Sequence, residues 1–233
     1  MSFGLSRGRR LDPGTVEVPP EALPPLPDSI LHDPAAGRVD PRLWFADPAA
    51  PLEIEVGSGK GTFILRQSGL QPGTNFLGIE YAREFYLYAA DRLRRTDRTN
   101  VRMLCLDAGE FLHWRVPDRC AAVVHLYFPD PWPKAKHHRR RMVQDRFLAD
   151  CARVLRPGGE LRIVTDHADY WAWMEAFFER WTSPGAGGVP AAFTREPFAS
   201  PPTEREGEIV GTNFERKYRD EGRTFHAAVL RRA

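Results

Sequence analysis

The sequence predicts an α/β fold with a Rossmann-like, doubly wound and mostly parallel sheet, on three observations. Between Pro51 and Trp181, short apolar runs alternate with amphipathic stretches, the pattern of parallel strands joined by crossover helices. A glycine-rich turn, Gly57-Ser58-Gly59-Lys60-Gly61, follows the first apolar run directly, and such sheets receive their ligands at the carboxyl ends of the strands. The segment Arg156-Pro157-Gly158-Gly159 stops a helical pattern just before another apolar run. Proline cannot continue a helix, and glycine tolerates the left-handed conformation that ends one.

Taken in order, residues 1–41 hold eight prolines with little periodicity and read as an arm or irregular wrap in which no helix is expected. The arm is assigned to 1–45 and the folded domain to 46–233. Strands are expected at Leu52–Val56, Asn75–Ile79, Val101–Leu106, Ala121–Phe128 and Glu160–Thr165. Helical patterns fall at Thr62–Gln67, Glu84–Arg95, Val143–Leu155 and Tyr170–Trp181. Residues 183–207 are rich in Pro, Gly, Ser, Thr and Glu and predict a long mobile loop. A final strand, Thr224–Arg231, follows the motif Thr212-Asn213-Phe214-Glu215. No internal repeat is present.

A chain of 233 residues with 42% hydrophobic and 27% charged side chains fits one substantial globular domain. The net charge of +2 conceals a cluster at Arg7, Arg9 and Arg10 and a basic tract at 134–141, nearly cancelled elsewhere. No apolar run reaches the length of a membrane span and the N-terminus lacks a secretory pattern, so a cytoplasmic protein is expected. Cys105, Cys120 and Cys151 are widely spaced, which fits reduced thiols, and adjacent His137 and His138 without a C-x-x-C do not form a zinc pattern, so no metal is expected. Monomer and homodimer both suit a domain of this kind.

The turn after the first strand, Glu53-Ile54-Glu55-Val56-Gly57-Ser58-Gly59-Lys60-Gly61, lets the backbone bend sharply and approach a ligand. It is not a P-loop, because Ile54 and Gly61 stand where Gly and Ser or Thr are required, and Thr62 weakens a dinucleotide fingerprint. The second strand ends in Glu80, about 20 residues beyond the turn, where such sheets bind ribose hydroxyls. The third ends in Asp107, whose carboxylate can accept from an adenine amino group. Each carboxylate taken singly could instead be a helix cap or a solvated strand end.

After the fourth strand comes Phe128-Pro129-Asp130-Pro131-Trp132-Pro133-Lys134, then Ala135-Lys136-His137-His138-Arg139-Arg140-Arg141. The prolines predict a stiff segment with Phe128, Asp130 and Trp132 extended, and the cationic run attracts phosphates. Asp130 is either a presented carboxylate or a cap for the following turn. Trp132 either stacks on a base or covers the core.

The glycine turn, Glu80, Asp107 and the Arg153-Val154-Leu155-Arg156-Pro157-Gly158-Gly159 turn resemble successive motifs of class I S-adenosylmethionine-dependent methyltransferases. Gly78-Ile79-Glu80, the Phe128–Lys134 run with its basic tract, Thr165-Asp166 and Thr212–Glu215 resemble, in order, those of tRNA (guanine-N7-)-methyltransferases of the bacterial TrmB type. That resemblance implies a seven-stranded sheet. It also implies methyl transfer from S-adenosyl-L-methionine, leaving S-adenosyl-L-homocysteine, to N7 of the guanine at position 46 in the variable loop of tRNA. It implies Asp130 as the catalytic residue. For cofactor binding it implies Gly57, Gly59, Glu80, Asp107, Asp130 and either Glu53 or Glu55, which share a strand face. Lys134, Asp166, Thr212, Asn213, Phe214 and Glu215 are implied as substrate contacts. Asp166 could instead cap the next helix, and Glu215 could pair with Arg216, Lys217 or Arg219. The long proline-rich arm and the 183–207 segment depart from the family pattern. Parts of the same pattern also fit a methyltransferase acting on another nitrogen, or an RNA-binding module that has lost catalysis.

Overall fold

The apolar alternation becomes strands β1 (Leu52–Val56), β2 (Asn75–Ile79), β3 (Val101–Leu104), β4 (Ala121–Tyr127), β5 (Leu155–Thr165), β6 (Phe193–Glu196) and β7 (His226–Arg232). Between them lie helices α1 (Thr62–Leu70), α2 (Arg83–Arg94), α3 (Ala108–Trp114), α4 (Asp145–Val154), α5 (Ala168–Thr182) and α6 (Asn213–Asp220). The structure is a computed structural model that describes Leu5, residues 8–183 and residues 191–233. Its strands follow the order β3-β2-β1-β4-β5-β7-β6 in one seven-stranded sheet, and the chain divides into compact units at residues 1–120 and 121–233.

In the first unit β1, β2 and β3 run parallel, with Val56 opposite Ile79 and Ile79 opposite Leu104. All five residues of β2 are buried, as expected for a parallel strand covered on both faces. On α2, Tyr86, Ala89, Ala90 and Leu93 recur at helical spacing. They pack with Ile64, Phe76, Val101 and Met103. The register of β1 with β2 brings the glycine turn and Glu80 to the same end of the sheet.

In the second unit β4 and β5 are parallel, while β7 runs antiparallel to both β5 and β6. The helix expected to end at Leu155 ends at Val154, and β5 begins at once and includes Arg156-Pro157-Gly158-Gly159. The pairing of β5 with β4 jumps between Ala121 and Val123. The extra residues of that irregularity absorb the proline and glycines without ending the strand.

Three expectations change. The seventh strand, β6, lies inside the stretch read as a loop, because Phe193 is buried and Arg195 pairs with Glu175 of α5. Residues 184–190 of that stretch lie outside the described residues. Helix α3 was not read from the sequence, although Asp107 caps it. The N-terminal segment is structured as well, with short 3-10 turns at Gly14–Val16, Pro20–Ala22, Asp28–Leu31, Pro34–Gly37 and Pro41–Trp44.

That segment is anchored on α2 and β3. Val16 joins the core of α2 and β3, the Val18 N–H donates to the Met103 carbonyl at 3.2 Å, and the Tyr86 hydroxyl donates to Glu17 at 2.9 Å. Asp91 of α2, only 3% exposed in its side chain, gathers Arg9, Arg94 and Arg95. Three cations around one buried carboxylate compensate its desolvation, and, being 36–52% exposed themselves, they stay solvated when it is removed. Asp91→Ala is therefore expected to cost about 1 kcal/mol and to raise hydrogen exchange at Val18 far more than at Leu77. Urea unfolding with site-resolved exchange measures both.

Candidate active site

The turn between β1 and α1 reverses the chain through left-handed backbone at Gly57, Gly59 and Gly61 (φ +75°, +52° and +67°). Side chains rarely adopt these angles. At Gly61 a Cβ would also lie 2.8 Å from the Ala89 side chain on α2. The turn is held from two sides. Gly57 and Ser58 donate to the Ile79 carbonyl at 2.9 and 3.1 Å, and Arg92 of α2 donates to the Lys60 carbonyl at 2.9 Å.

Glu80 links the turn to the end of β2. One carboxylate oxygen accepts from the Gly59 N–H and the other from the Ala82 N–H, each at 2.8 Å. Every carboxylate oxygen has two lone-pair directions, so Glu80 is fixed in place and keeps acceptor capacity. Asp107 accepts from the Glu110 N–H at 3.0 Å as the cap of α3. Its capping reading is thus correct for one oxygen, and the side chain is exposed.

Glu53 and Glu55 differ sharply. Glu53 is half-buried, whereas Glu55 is 5% exposed and one of its oxygens, Oε2, has no hydrogen-bond partner. Burial pushes the Glu55 carboxyl up to about 8, partly opposed by the Ser58 hydroxyl, with the Glu80 carboxylate adding to the rise. A buried acid with an orphaned oxygen beside a glycine turn fits a ligand's cationic amino group.

In the second unit the loop after β4 departs from the expected geometry. Phe128 and Trp132 precede prolines, yet both have positive φ, +53° and +43°. The extended conformation predicted for these two residues is therefore overturned. For bulky non-glycine residues this is strained backbone, and it flanks Asp130 on both sides. Asp130 is exposed, and no hydrogen bond or ion pair joins its carboxylate to the described residues. The capping alternative for Asp130 has no hydrogen bond to support it. Trp132 stacks on His137 at 5.7 Å and carries the Arg140 guanidinium over its ring at 4.9 Å. It neither fills the core nor lies bare.

The basic tract folds into a 3-10 turn, Ala135–Arg140. Lys134, Lys136, Arg139 and Arg140 are exposed, but Arg141 is 2% exposed. Reading all of Lys136–Arg141 as backbone-facing cations therefore fails at Arg141. Arg9, one of the three arginines of the N-terminal cluster, is paired with Asp91, while Arg10 is exposed and Arg7 lies outside the described residues.

Asp166 follows β5 and pairs with Arg223 at 2.5 Å. The cap of α5 is His167 instead, whose Nδ1 accepts from the Tyr170 N–H at 3.2 Å. Arg223 also rests on the Tyr218 ring at 4.1 Å. Phe214 is 45% exposed and stacks on Tyr218 at 6.0 Å, and Asn213 beside it is exposed.

Glu215 behaves differently from the expected guanine contact. It is fully buried, and its carboxylate accepts from the backbone N–H groups of Ile209, Val210 and Gly211 at 2.5, 2.9 and 2.8 Å. Arg219 completes the set at 2.8 Å. Thr212 caps α6 by accepting from the Glu215 N–H at 3.0 Å. Thr212 thus makes the N-cap half of a capping box, while Glu215 reaches back beyond the cap to three loop amides and serves the loop that carries Asn213 and Phe214. Of the sequence alternatives, pairing with Arg219 is realised, but in a buried rather than solvated turn. The signal for it was T-x-x-E at the head of α6.

Two expected outcomes follow from these environments. Glu55 holds a proton more tightly in the folded chain than in the unfolded one, so its contribution falls as pH rises from its ordinary carboxylate value of 4.5 through about 8. Denaturation of the cofactor-free protein at pH 5 and pH 8 should show that loss, and Glu55→Gln, which mimics the protonated acid, should flatten it. Glu215→Ala leaves three loop amides and Arg219 without their acceptor, and should lower stability by about 3–5 kcal/mol. Calorimetry reads that change.

A family model described as a putative methyltransferase matches residues 49–226. The tRNA (guanine-N(7)-)-methyltransferase of Nitrobacter hamburgensis is 39% identical over 183 residues, covering 78% of this chain and 69% of that protein. The protein of the same description from Rhodopseudomonas palustris is 34% identical and covers 88% and 83% of the two chains. For that of Corynebacterium diphtheriae the figures are 37% identity, 64% of this chain and 58% of that one. Among solved structures, the antibiotic-resistance methyltransferase Kmr aligns with a TM-score of 0.50 at 20% identity, over 79% of this chain and 88% of its own. The aminoglycoside resistance methyltransferase NpmB1 aligns with a TM-score of 0.50 at 17% identity, over 78% and 87%. These two likenesses concern the fold, the class I methyltransferase architecture. The breadth of the sequence matches identifies the chain as a member of the tRNA (guanine-N(7)-)-methyltransferase family.

Proposed function

We propose that this protein methylates N7 of a guanine in the variable loop of tRNA, position 46, with S-adenosyl-L-methionine as donor, and that it works in the cytoplasm. The observation that carries the site assignment is Asp130: an exposed carboxylate without a hydrogen-bond partner among the described residues, between two residues of strained backbone. Family membership supplies the reaction class.

The donor, when bound, supplies an electrophilic sulfonium methyl. Gly57 and Gly59 allow its close approach to the backbone, and Glu55 takes its amino group, which would engage the orphaned Oε2. Glu80 accepts from the ribose hydroxyls with the lone pairs left by Gly59 and Ala82, and Asp107 accepts from the adenine amino group. Glu53 has no such role in this assignment.

Guanine N7 carries a free lone pair and no proton, so the reaction requires no general base. Asp130 instead accepts from N1–H and the 2-amino group of the base. This orients the ring and favours the positive charge that it acquires as the methyl arrives. Asp166, held by Arg223, offers a second acceptor for the same donor edge. Phe214 provides an exposed ring for stacking, Asn213 and Thr212 border it, and Lys134 pairs with phosphate. The exposed Lys136, Arg139 and Arg140 attract the tRNA backbone. Glu215 acts by holding the loop rather than by touching the base. Among the described residues no group of His, Cys, Asp and Glu could hold a metal, and no helix is long and apolar enough to cross a membrane.

Incubation with methyl-labelled donor and unmodified tRNA, followed by nucleotide mapping, tests the reaction: label belongs in 7-methylguanine. Asp130→Asn keeps the shape but loses the charge, and should lower kcat by about 100-fold while leaving donor affinity nearly unchanged. A normal rate in that variant removes Asp130 from the mechanism.

A further inference from the structure

The largest of the fully buried side chains among the described residues is an arginine inside the basic tract. Arg141 has a side-chain exposure of 1%, and all its contacts are internal to the second unit. Its Nε–H donates to the Pro131 carbonyl at 2.9 Å, and its Nη2 pairs with Asp169 in the first turn of α5. The guanidinium lies over the rings of Tyr170 and Trp173, at 5.0 and 5.2 Å. Those rings are themselves tied to the chain just after Arg141. The Tyr170 hydroxyl accepts from the Val143 N–H at 3.1 Å, and the Trp173 indole donates to the Val143 carbonyl at 2.9 Å.

Pro131 is the residue after Asp130, within the segment between the positive-φ residues Phe128 and Trp132. Proline lacks an N–H, so no ladder bond can hold this segment from its own amides at 129, 131 and 133. The Arg141 Nε–H bond to the Pro131 carbonyl is therefore a principal polar tie between the loop and α5. A strained conformation persists only where its surroundings over-determine it. Arg141 is well suited to that task, because its fork donates in two directions while its face packs on aromatic rings. Lysine has one flexible point charge and cannot reproduce both.

We infer that Arg141 is a positioning residue for Asp130. It fixes the Pro129–Pro133 backbone so that the carboxylate is held at one place relative to the guanine edge, and it takes no part in phosphate binding. The inference rests on the role given above to Asp130. Its neighbours Arg139 and Arg140, exposed on the same 3-10 turn, have the opposite function and meet the nucleic acid.

The test uses the full chain with unmodified tRNA and four variants: Arg141→Lys, Asp130→Asn, the two combined, and Arg139→Ala with Arg140→Ala. Arg141→Lys preserves charge, so a phosphate contact would survive it. Positioning would not, and kcat should fall by about 100-fold, as for an ångström-scale misplacement. The KM for donor and the salt dependence of tRNA affinity should be unchanged. Adding Arg141→Lys to Asp130→Asn should lower kcat no further, because a residue acting through a carboxylate has nothing to act on once the charge is gone. The Arg139/Arg140 variant should instead flatten the salt dependence.

Multiplicative losses in the combined variant, normal kcat in Arg141→Lys, or a reduced salt slope in Arg141→Lys would each overturn the inference. Loss of the cooperative unfolding transition in Arg141→Lys would do so too, since it would make the arginine a determinant of the whole unit. Full activity in Asp130→Asn alone defeats the assignment of Asp130, and is distinguishable because it involves no change at Arg141.

Discussion

Where a strand ends and the chain turns sharply, backbone N–H groups lose their ladder partners and need other acceptors. In this protein carboxylates meet that need repeatedly. Glu80 takes the Gly59 and Ala82 amides, Asp107 takes the Glu110 amide, and Glu215 takes three amides in succession. Each of these acids thus serves the fold, and only one with lone pairs left over can also serve a ligand. Glu80 retains free lone pairs and can do both, whereas Glu215 is saturated and serves the fold alone. Glu55 and Asp130 stand apart: the first is buried with an orphaned oxygen, and the second is exposed on strained backbone.

The cations divide by the same rule. Arg9, Arg141, Arg219 and Arg223 are occupied by carboxylates, while Lys134, Lys136, Arg139 and Arg140 extend from the loop into solvent. A run of like charges in a sequence is therefore not one functional patch. Within it, the residue next to the helix that follows can be drawn inward by aromatic rings and an acidic partner. Its neighbours on the turn remain outside.

Much of the fold was legible because local pattern decides it. The first three parallel strands are short segments in which Val, Ile, Leu, Phe and Met hold most positions, with Gly57 after the first and Asn100 before the third. The helix at 83–94 has its apolar residues at helical spacing. The glycine turn was legible because no other residue tolerates its backbone angles so well. By contrast, Phe193–Glu196 has little apolar character of its own and becomes a strand only because β7 offers an edge. The N-terminal segment lacks periodicity and is ordered by contacts distant in sequence, Glu17 with Tyr86 and Arg9 with Asp91.

The sequence by itself determined the class of sheet, the strand-end carboxylates, the glycine turn and the run around Asp130, since each depends on residue type and short spacing. Only the tertiary structure decided which of these groups is available to a ligand. Availability depends on burial and on partners brought from elsewhere in the chain, such as Arg219 for Glu215 and Arg223 for Asp166. It also decided that the residues before Pro129 and Pro133 take positive φ against their local preference. The rule of neighbouring sterics yields in a segment whose Pro131 carbonyl accepts from a buried guanidinium ten residues further along the chain.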